Sequence, residues 1–424
     1  MDLNQINDKV KNCTCGKAHK IDLKAVEIGS GLVNETGKLL LKHSIPKRLI
    51  LVADNNTLKA SEGIFESLDE SGYTYIKLIF TDLRDALIED TEAICSLSSH
   101  YDAIISVGTG SLNDICRLAS YKVNKPFVIF ATAPSMDGFA SDTSPIISNG
   151  FKLSHQAKQP DLVIADTKIL AASPVCLKSA GFGDMLAKTM GLADWRISNI
   201  LTGEYYCETI ANLTREATNR IIALADKVTE NDEELAEKMT EALIFTGVAM
   251  QLAGCSRPAS GAEHVVSHFW EILENQYNAP PSFHGTRVGI ALILLNELYL
   301  RIADADVSFT EDRTDWKDVY EKYGPQFKSD LDKMNNHSVL EGVTPELLEE
   351  KWEEIRKALK EELLPQKRLI ELMKTATAPT DPEEIGICRE LCDLGIKYHA
   401  YMRHRLTLMR LLPMITVKGE ENIW

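Results

Sequence analysis

The sequence predicts an α/β N-terminal nucleotide-binding domain with a parallel sheet, residues 1–173, followed by an all-α metal- and substrate-binding domain, residues 174–424. Three observations predict this architecture. A chain of 424 residues exceeds the size at which one hydrophobic core usually keeps growing. Between residues 20 and 170, short β-rich apolar runs alternate with helical patterns. After about residue 173 that alternation gives way to long stretches of helical periodicity.

The strands are expected in KRLILVAD (47–54), YIKLIF (75–80), YDAIISVG (101–108), PFVIFAT (126–132) and PDLVIAD (160–166). Each run is continuously apolar, as a strand must be when helices cover both faces of a parallel sheet. Strands alternating with helices imply βαβ units, whose ligands sit beyond the carboxyl ends of the strands. Ser173-Pro174 marks the boundary, because proline opens a helix at little cost to its hydrogen bonding. Helical periodicity then covers 204–226, 232–255, 260–276, 285–303, 346–363 and 384–411. Segment 305–335 reads as a polar excursion between helices, and 345–365 as a solvated face with i,i+4 charge pairs. No repeat of solenoid length is visible.

A formal net charge of −16 disfavours general attraction to nucleic acid or to an anionic membrane, and any anionic substrate needs locally placed basic residues. MDLNQINDKVKNCTCG lacks a signal peptide's apolar stretch, and no run approaches the ~20 apolar residues of a spanning helix. The expectation is therefore a cytoplasmic protein without a membrane span, its cysteines mostly reduced. Its nine cysteines are scattered rather than set in a dense disulfide framework. A homodimer is expected because closed two-fold assemblies are the commonest.

Three segments carry candidate chemistry. SVGTGSLNDI (106–115) places a glycine turn between a strand and a helix, where small residues and helix N-terminal amides suit a phosphate. Many such turns bind nothing, and a short Gly-x-Gly alone leaves the question open. ATAPSMDGFASDTSP (131–145) packs hydroxyls, two aspartates and prolines at the end of the next strand, suited either to a ligand or to a rigid turn stabilised by Asp137. Asp184, His264 and His284 offer one carboxylate and two imidazoles, first-shell donors for zinc, iron or nickel. His268 shares a helix face with His264. Taken singly, a histidine is more often a satisfied core or surface residue than a ligand. CTCGKAH (13–19) sets Cys13, Cys15 and His19 close together, but it lacks the usual Cys spacing and a matching second pair. His399, Arg403 and His404 are expected on the solvent or interface side of an amphipathic helix, and Trp195 and Trp270 in the core with satisfied N–H groups.

The motifs GTGSLNDI, TAPSMDGFASDTSPI, AGFGDMLAK, GAEHVVSHFWE and HGTRVGIA occur here in the order seen in one family. The chain resembles the glycerol-1-phosphate dehydrogenases, in particular the bacterial type, of the iron-alcohol-dehydrogenase and dehydroquinate-synthase-like superfamily. The resemblance spans about residues 20–300. It implies one divalent metal ion (nickel, zinc or iron) on Asp184, His264 and His284, with Asp137, Asp184 and His268 as catalytic and substrate-binding groups. It implies NAD or NADP contacts from Asp54, from Gly110, Ser111, Leu112, Asn113 and Asp114, from Thr132, Ala133, Pro134 and Ser135, and from Ser141. A carboxylate at Asp54 accepts bonds from ribose hydroxyls and repels a 2′-phosphate, favouring NAD. Thr109 departs from the family's glycine and must keep an ordinary backbone conformation.

The activity so implied is reversible reduction of dihydroxyacetone phosphate to sn-glycerol 1-phosphate, with Lys188 and Arg287 as candidates for the substrate phosphate. The alternatives are a glycerol or other small-alcohol dehydrogenase of the same superfamily, and a catalytically silent nucleotide-binding regulatory protein.

Overall fold

The computed structural model describes residues 3–148, 151–274 and 276–419. The chain forms two compact units, one of Met1–Met185 with Asn219–Gly254, the other of Leu186–Thr218 with Cys255–Trp424. The segment 1–173 lies wholly in the first unit, which also takes in 174–185 and 219–254.

The first unit is built on a six-stranded sheet. Its strands are β1 (Ala25–Gly29), β2 (Arg48–Asp54), β3 (Thr74–Phe80), β4 (Ala103–Gly108), β5 (Phe127–Ala131) and, after a hairpin of β6 (Thr143–Ser148) and β7 (Phe151–Gln156), β8 (Leu162–Asp166). The order across the sheet is β1-β8-β5-β4-β2-β3, and every pairing within it is parallel. The apolar runs are explained by burial on both faces. Leu49, Leu51 and Ala53 of β2 belong to one cluster with Ile105, Val128 and Leu162, while Ile50 and Val52, on the opposite face, are equally buried.

From β2 the chain moves outward to β3 and then returns to place β4 on the other side of β2. The carboxyl ends of β2 and β4 therefore flank a topological switch point, where open α/β sheets bind ligands. Two helices leave that crevice, α1 (Asn55–Ala60) and α2 (Ser111–Val123). The helix α3 (Val175–Thr202) follows Pro174, and its residues up to Met185 belong to the first unit. Gly181 of α3 lies so close to the Pro134 carbonyl that a Cβ there would stand 1.9 Å from the oxygen. The helix α4 (Glu233–Ala253) is also part of this unit, and it starts with an N-cap in which Asp232 accepts from the Leu235 N–H at 2.6 Å.

The second unit is helical, with α5 (Ala262–Leu273), α6 (His284–Asp304), α7 (Pro345–Glu362) and α8 (Arg389–Tyr398) as its main elements. Trp195 and Trp270 are fully buried, their N–H groups donating to the Tyr205 and Leu391 carbonyls, as expected. Gly395 of α8 is needed where it is, because a Cβ would stand 2.2 Å from the Trp270 ring nitrogen.

The unit is helical as expected, and it also carries a short antiparallel ladder of β9 (Val307–Phe309) and β10 (Ile415–Val417). Two expectations need correction here. The periodicity over 384–411 does not form one helix, because α8 ends at Tyr398 and a 3-10 turn (His399–Tyr401) followed by irregular backbone separates it from a short helix at Leu408–Leu411. His399 is consequently not a surface residue. It is fully buried, with Nδ1 2.8 Å from the Gly395 carbonyl, and burial pulls its pKa down to about 4.

Candidate nucleotide and metal sites

The glycine turn lies at the carboxyl end of β4, at the switch point. Gly110 adopts φ +52° and directly precedes α2, and no atom lies within 4 Å of the place its Cβ would occupy. That open space, above the unpaired N–H groups of a helix N-terminus, fits the pyrophosphate of a dinucleotide. Gly108 closes in from the other side, because a Cβ there would meet the Leu112 side chain at 2.4 Å. Thr109 is absent from the positive-φ residues, and its hydroxyl lies 3.1 Å from that of Ser135. The two loops are thereby tied together.

The residues expected around the cofactor divide by what they touch. Asp54 caps α1: its Oδ1 accepts from the Thr57 N–H at 2.8 Å, while the Thr57 hydroxyl accepts from the Asp54 N–H at 3.0 Å. Capping uses one carboxylate oxygen and fixes the group at the end of β2. Asn113 is buried, its side-chain oxygen accepting from Ser106 of β4, so its side chain braces α2 against the sheet. The Ser111 hydroxyl donates to the Arg84 carbonyl. Asp114 holds Arg117 at 2.7 Å. Arg117, fully buried, donates to the carbonyls of Gly138, Phe139 and Thr143 and so clamps the loop after β5.

In that loop Thr132, Ala133, Pro134 and Ser135 are buried, and Ser141 accepts from the Thr143 N–H at 3.0 Å to close a turn. Asp137 is also buried, and its backbone N–H donates to Oδ2 of Asp184 at 3.0 Å. Asp184 itself is completely withdrawn from solvent. A buried carboxylate needs compensation, to which the Asp137 N–H contributes and which a divalent cation is chemically suited to provide. Within the first unit the structure thus brings Asp137 and Asp184 together.

In the second unit α5 and the start of α6 bring His264, His268 and His284 together. The rings of His264 and His284 lie 5.3 Å apart, and those of His268 and His284 5.8 Å. Nδ1 of His264 sits 2.6 Å from a Glu263 oxygen, which leaves Nε2 to face outward as a ligand atom. The other Glu263 oxygen is buried without a hydrogen-bond partner among the described residues, as is Nδ1 of His268. Burial, helped by Arg403, His284 and His264, pushes the His268 pKa well below its usual range, so the ring is neutral. Two imidazoles, one oriented by a carboxylate, and an orphaned third ring nitrogen fit a divalent cation with a polar substrate beside it.

The phosphate guesses fare differently. Arg287 is buried against Glu271 and Glu274, and Lys188 is buried with its ammonium 3.1 Å from the Ala259 carbonyl. Arg403 is partly buried and burial alone lowers its pKa, with no carboxylate to offset it. Sequence reasoning missed Glu263 and Arg117, and Asp194 as well, whose buried carboxylate accepts from Tyr299 and from the Ala262 and Leu408 N–H groups. A glutamate directly before a candidate ligand histidine, as in Gly-Ala-Glu-His, is the signal that would have found the first.

Residues 27–174 match the iron-containing alcohol dehydrogenase family. The chain is 32% identical to a glycerol-1-phosphate dehydrogenase [NAD(P)+] of Halalkalibacterium halodurans, over 70% of this chain and 76% of that one. It is also 32% identical to a protein of the same name from Methanosarcina acetivorans, over 65% and 76% respectively. Among solved structures, its fold resembles a probable glycerol dehydrogenase from Sinorhizobium meliloti (TM-score 0.60, 16% identity, 94% and 93% covered). It likewise resembles a sulfoacetaldehyde reductase from Bifidobacterium kashiwanohense in complex with NAD+ (TM-score 0.62, 15% identity, 93% and 95% covered).

Proposed function

We propose, from the premise that the chain belongs to the glycerol-1-phosphate dehydrogenase family, that it reversibly reduces dihydroxyacetone phosphate to sn-glycerol 1-phosphate, using NAD or NADP and one divalent metal ion. The observation that carries this reading is the 32% identity across 76% of a glycerol-1-phosphate dehydrogenase. Residues 1–173 serve as the dinucleotide-binding half and 174–424 as the metal- and substrate-binding half. The enzyme works as a cytoplasmic homodimer.

Asp184, His264 and His284 are assigned as the metal ligands. One carboxylate with two imidazoles gives a mixed oxygen and nitrogen set open to nickel, zinc or iron, and leaves positions for substrate. The ion supplies Lewis acidity toward a ketone oxygen, and the reduced nicotinamide supplies hydride. Everything else falls to the chain. The N-terminus of α2, entered through Gly110, Ser111, Leu112, Asn113 and Asp114, receives the pyrophosphate, with Thr132, Ala133, Pro134, Ser135 and Ser141 shaping the wall beside it. Asp54 presents its second oxygen to a ribose, which disfavours a 2′-phosphate.

Asp137 and His268 position the substrate hydroxyl carbons. His268, whose Nδ1 is buried without a hydrogen-bond partner among the described residues, is assigned to take up the hydroxyl proton in the oxidising direction and to return one in the reducing direction. Arg403, a partly buried guanidinium close enough to His268 for its charge to act there, is assigned to receive the substrate phosphate.

The decisive experiment follows NADH and NADPH oxidation with dihydroxyacetone phosphate and with dihydroxyacetone, then determines the product's stereochemistry. The reading requires preference for the phosphorylated ketone and an sn-glycerol 1-phosphate product. Preference for dihydroxyacetone would make the protein a small-alcohol dehydrogenase, and sn-glycerol 3-phosphate as product would overturn the assignment at its most specific point.

A further inference from the structure

We propose that Cys13, Cys15 and His19 form a second metal site, for a thiophilic divalent cation of the zinc type. The site is chemically distinct from the oxygen and nitrogen set assigned to catalysis. Both sulfurs and a ring nitrogen of His19 lie within 4.8 Å of one another, and the Cys15 sulfur is 3.2 Å from Nε2 of His19. Zinc–sulfur bonds of about 2.3 Å and zinc–nitrogen bonds of about 2.0–2.1 Å in a tetrahedron put neighbouring donors roughly 3.5–3.8 Å apart. The cluster is already near that geometry.

The orientation of His19 argues for a ligand role. Its Nδ1 donates to the Leu252 carbonyl at 2.8 Å, which fixes the tautomer and directs the Nε2 lone pair at the sulfurs. A plain thiol–imidazole hydrogen bond would account for Cys15 and His19. It would not account for the second thiol in the same cluster. Gly16, at φ +84°, lets the chain reverse between the thiols and the imidazole.

The segment is also anchored from outside. Lys17 donates to the Ala253 carbonyl at 3.4 Å, and Asp22 and Gln251 bond each other through a backbone N–H and a side-chain amide at 2.8 and 2.7 Å. His19 and Lys17 thus satisfy two of the last carbonyls of α4, which have no partner within the helix, and Lys17 brings positive charge to the negative end of its dipole. A cation bridging the two thiols and His19 fastens the whole stretch from Cys13 to Asp22 to that helix end. Two thiols release two protons on binding a dication, so the three donors and the ion together carry no net charge.

The test uses the full-length protein loaded with cobalt(II). Thiolate ligands give a near-ultraviolet charge-transfer band that oxygen and nitrogen ligands do not. We expect that band in the unaltered protein and in His264→Ala, and its loss in Cys13→Ser/Cys15→Ser together with one metal equivalent per chain. Cys15→His, which replaces a thiolate by an imidazole, should keep the metal with a weaker band, a readout that does not depend on the double variant folding. The proposal fails if the unaltered protein shows no such band, if the band survives in a folded double variant, or if protein isolated anaerobically without added reductant contains a Cys13–Cys15 disulfide.

Discussion

Arg403, partly buried, and Asp194, fully buried, put opposite demands on the second unit. The Arg403 charge lowers its neighbour His268's affinity for a proton, and nothing in the described surroundings offsets its own desolvation. A phosphate dianion would. Losing a charge-assisted contact of that kind costs ~1.5–3 kcal/mol, so Arg403→Gln should lower kcat/KM for dihydroxyacetone phosphate by roughly 10- to 150-fold. Turnover of unphosphorylated dihydroxyacetone should hardly change. Equal losses on both ketones would remove Arg403 from phosphate recognition. Asp194 is held by three donors, yet burial, aided by the Glu263 charge, raises its pKa from 3.8 to about 7. The folded protein therefore keeps a proton that the unfolded chain gives up between those values. Its contribution to stability is greatest below about pH 4, falls as the pH rises to about 7, and is level above that. His399, lowered to about 4, works in the opposite direction, so the informative quantity is a difference. The urea midpoint of Asp194→Asn minus that of the unaltered protein should rise between pH 5 and pH 8, and a flat difference would contradict the raised pKa.

At the scale of the element, what the sequence made legible was the centre of the sheet. β2, β4, β5 and β8 are buried on both faces and so read as unbroken apolar runs. β1 was missed because AVEIG lies at the sheet edge, only partly buried and interrupted by a glutamate. β6 and β7 were missed for a related reason: they stand outside the main sheet, pairing with each other and, through Ile147, bridging to Leu87, and Pro145 interrupts the pattern, although the sequence Asn149-Gly150 is a common hairpin signal. The histidines were legible as types and spacings, but what orients the His264 ring for the ligand role assigned to it is the Glu263 carboxylate behind it. Burial and pairing of that kind do not show in a sequence. Gly110 stands out in both sequence and structure, as the glycine of the turn and as a positive-φ residue directly ahead of α2. A branched side chain at its φ of +52° costs of order 1–3 kcal/mol, and it would fill the space above α2. Gly110→Val should accordingly lower stability by that amount and raise the KM for NADH, while metal content stays the same. An unchanged KM for NADH would show that the cofactor does not use this helix end.

For the whole molecule, the assigned catalytic ion and the fold should be separable. The six-stranded sheet has a continuous apolar core in which no metal ligand takes part, and the helices of the second unit are held by buried aromatics and by ion pairs such as those of Arg196 and Arg215 with Glu362. Removing the ion from Asp184, His264 and His284 takes away a Lewis acid worth several kcal/mol in the transition state, or a loss of about a hundredfold or more in rate. Its removal leaves those cores untouched. Protein dialysed against a chelator should therefore lose activity while its far-ultraviolet circular dichroism is retained, and nickel, zinc and iron should restore activity to different extents because the mixed donor set accepts all three. His264→Ala should resist restoration by any of them. Full activity in demonstrably metal-free protein would refute the assigned mechanism, and loss of helical signal on chelation in Cys13→Ser/Cys15→Ser, which lacks the second site, would mean that the catalytic ion is structural as well.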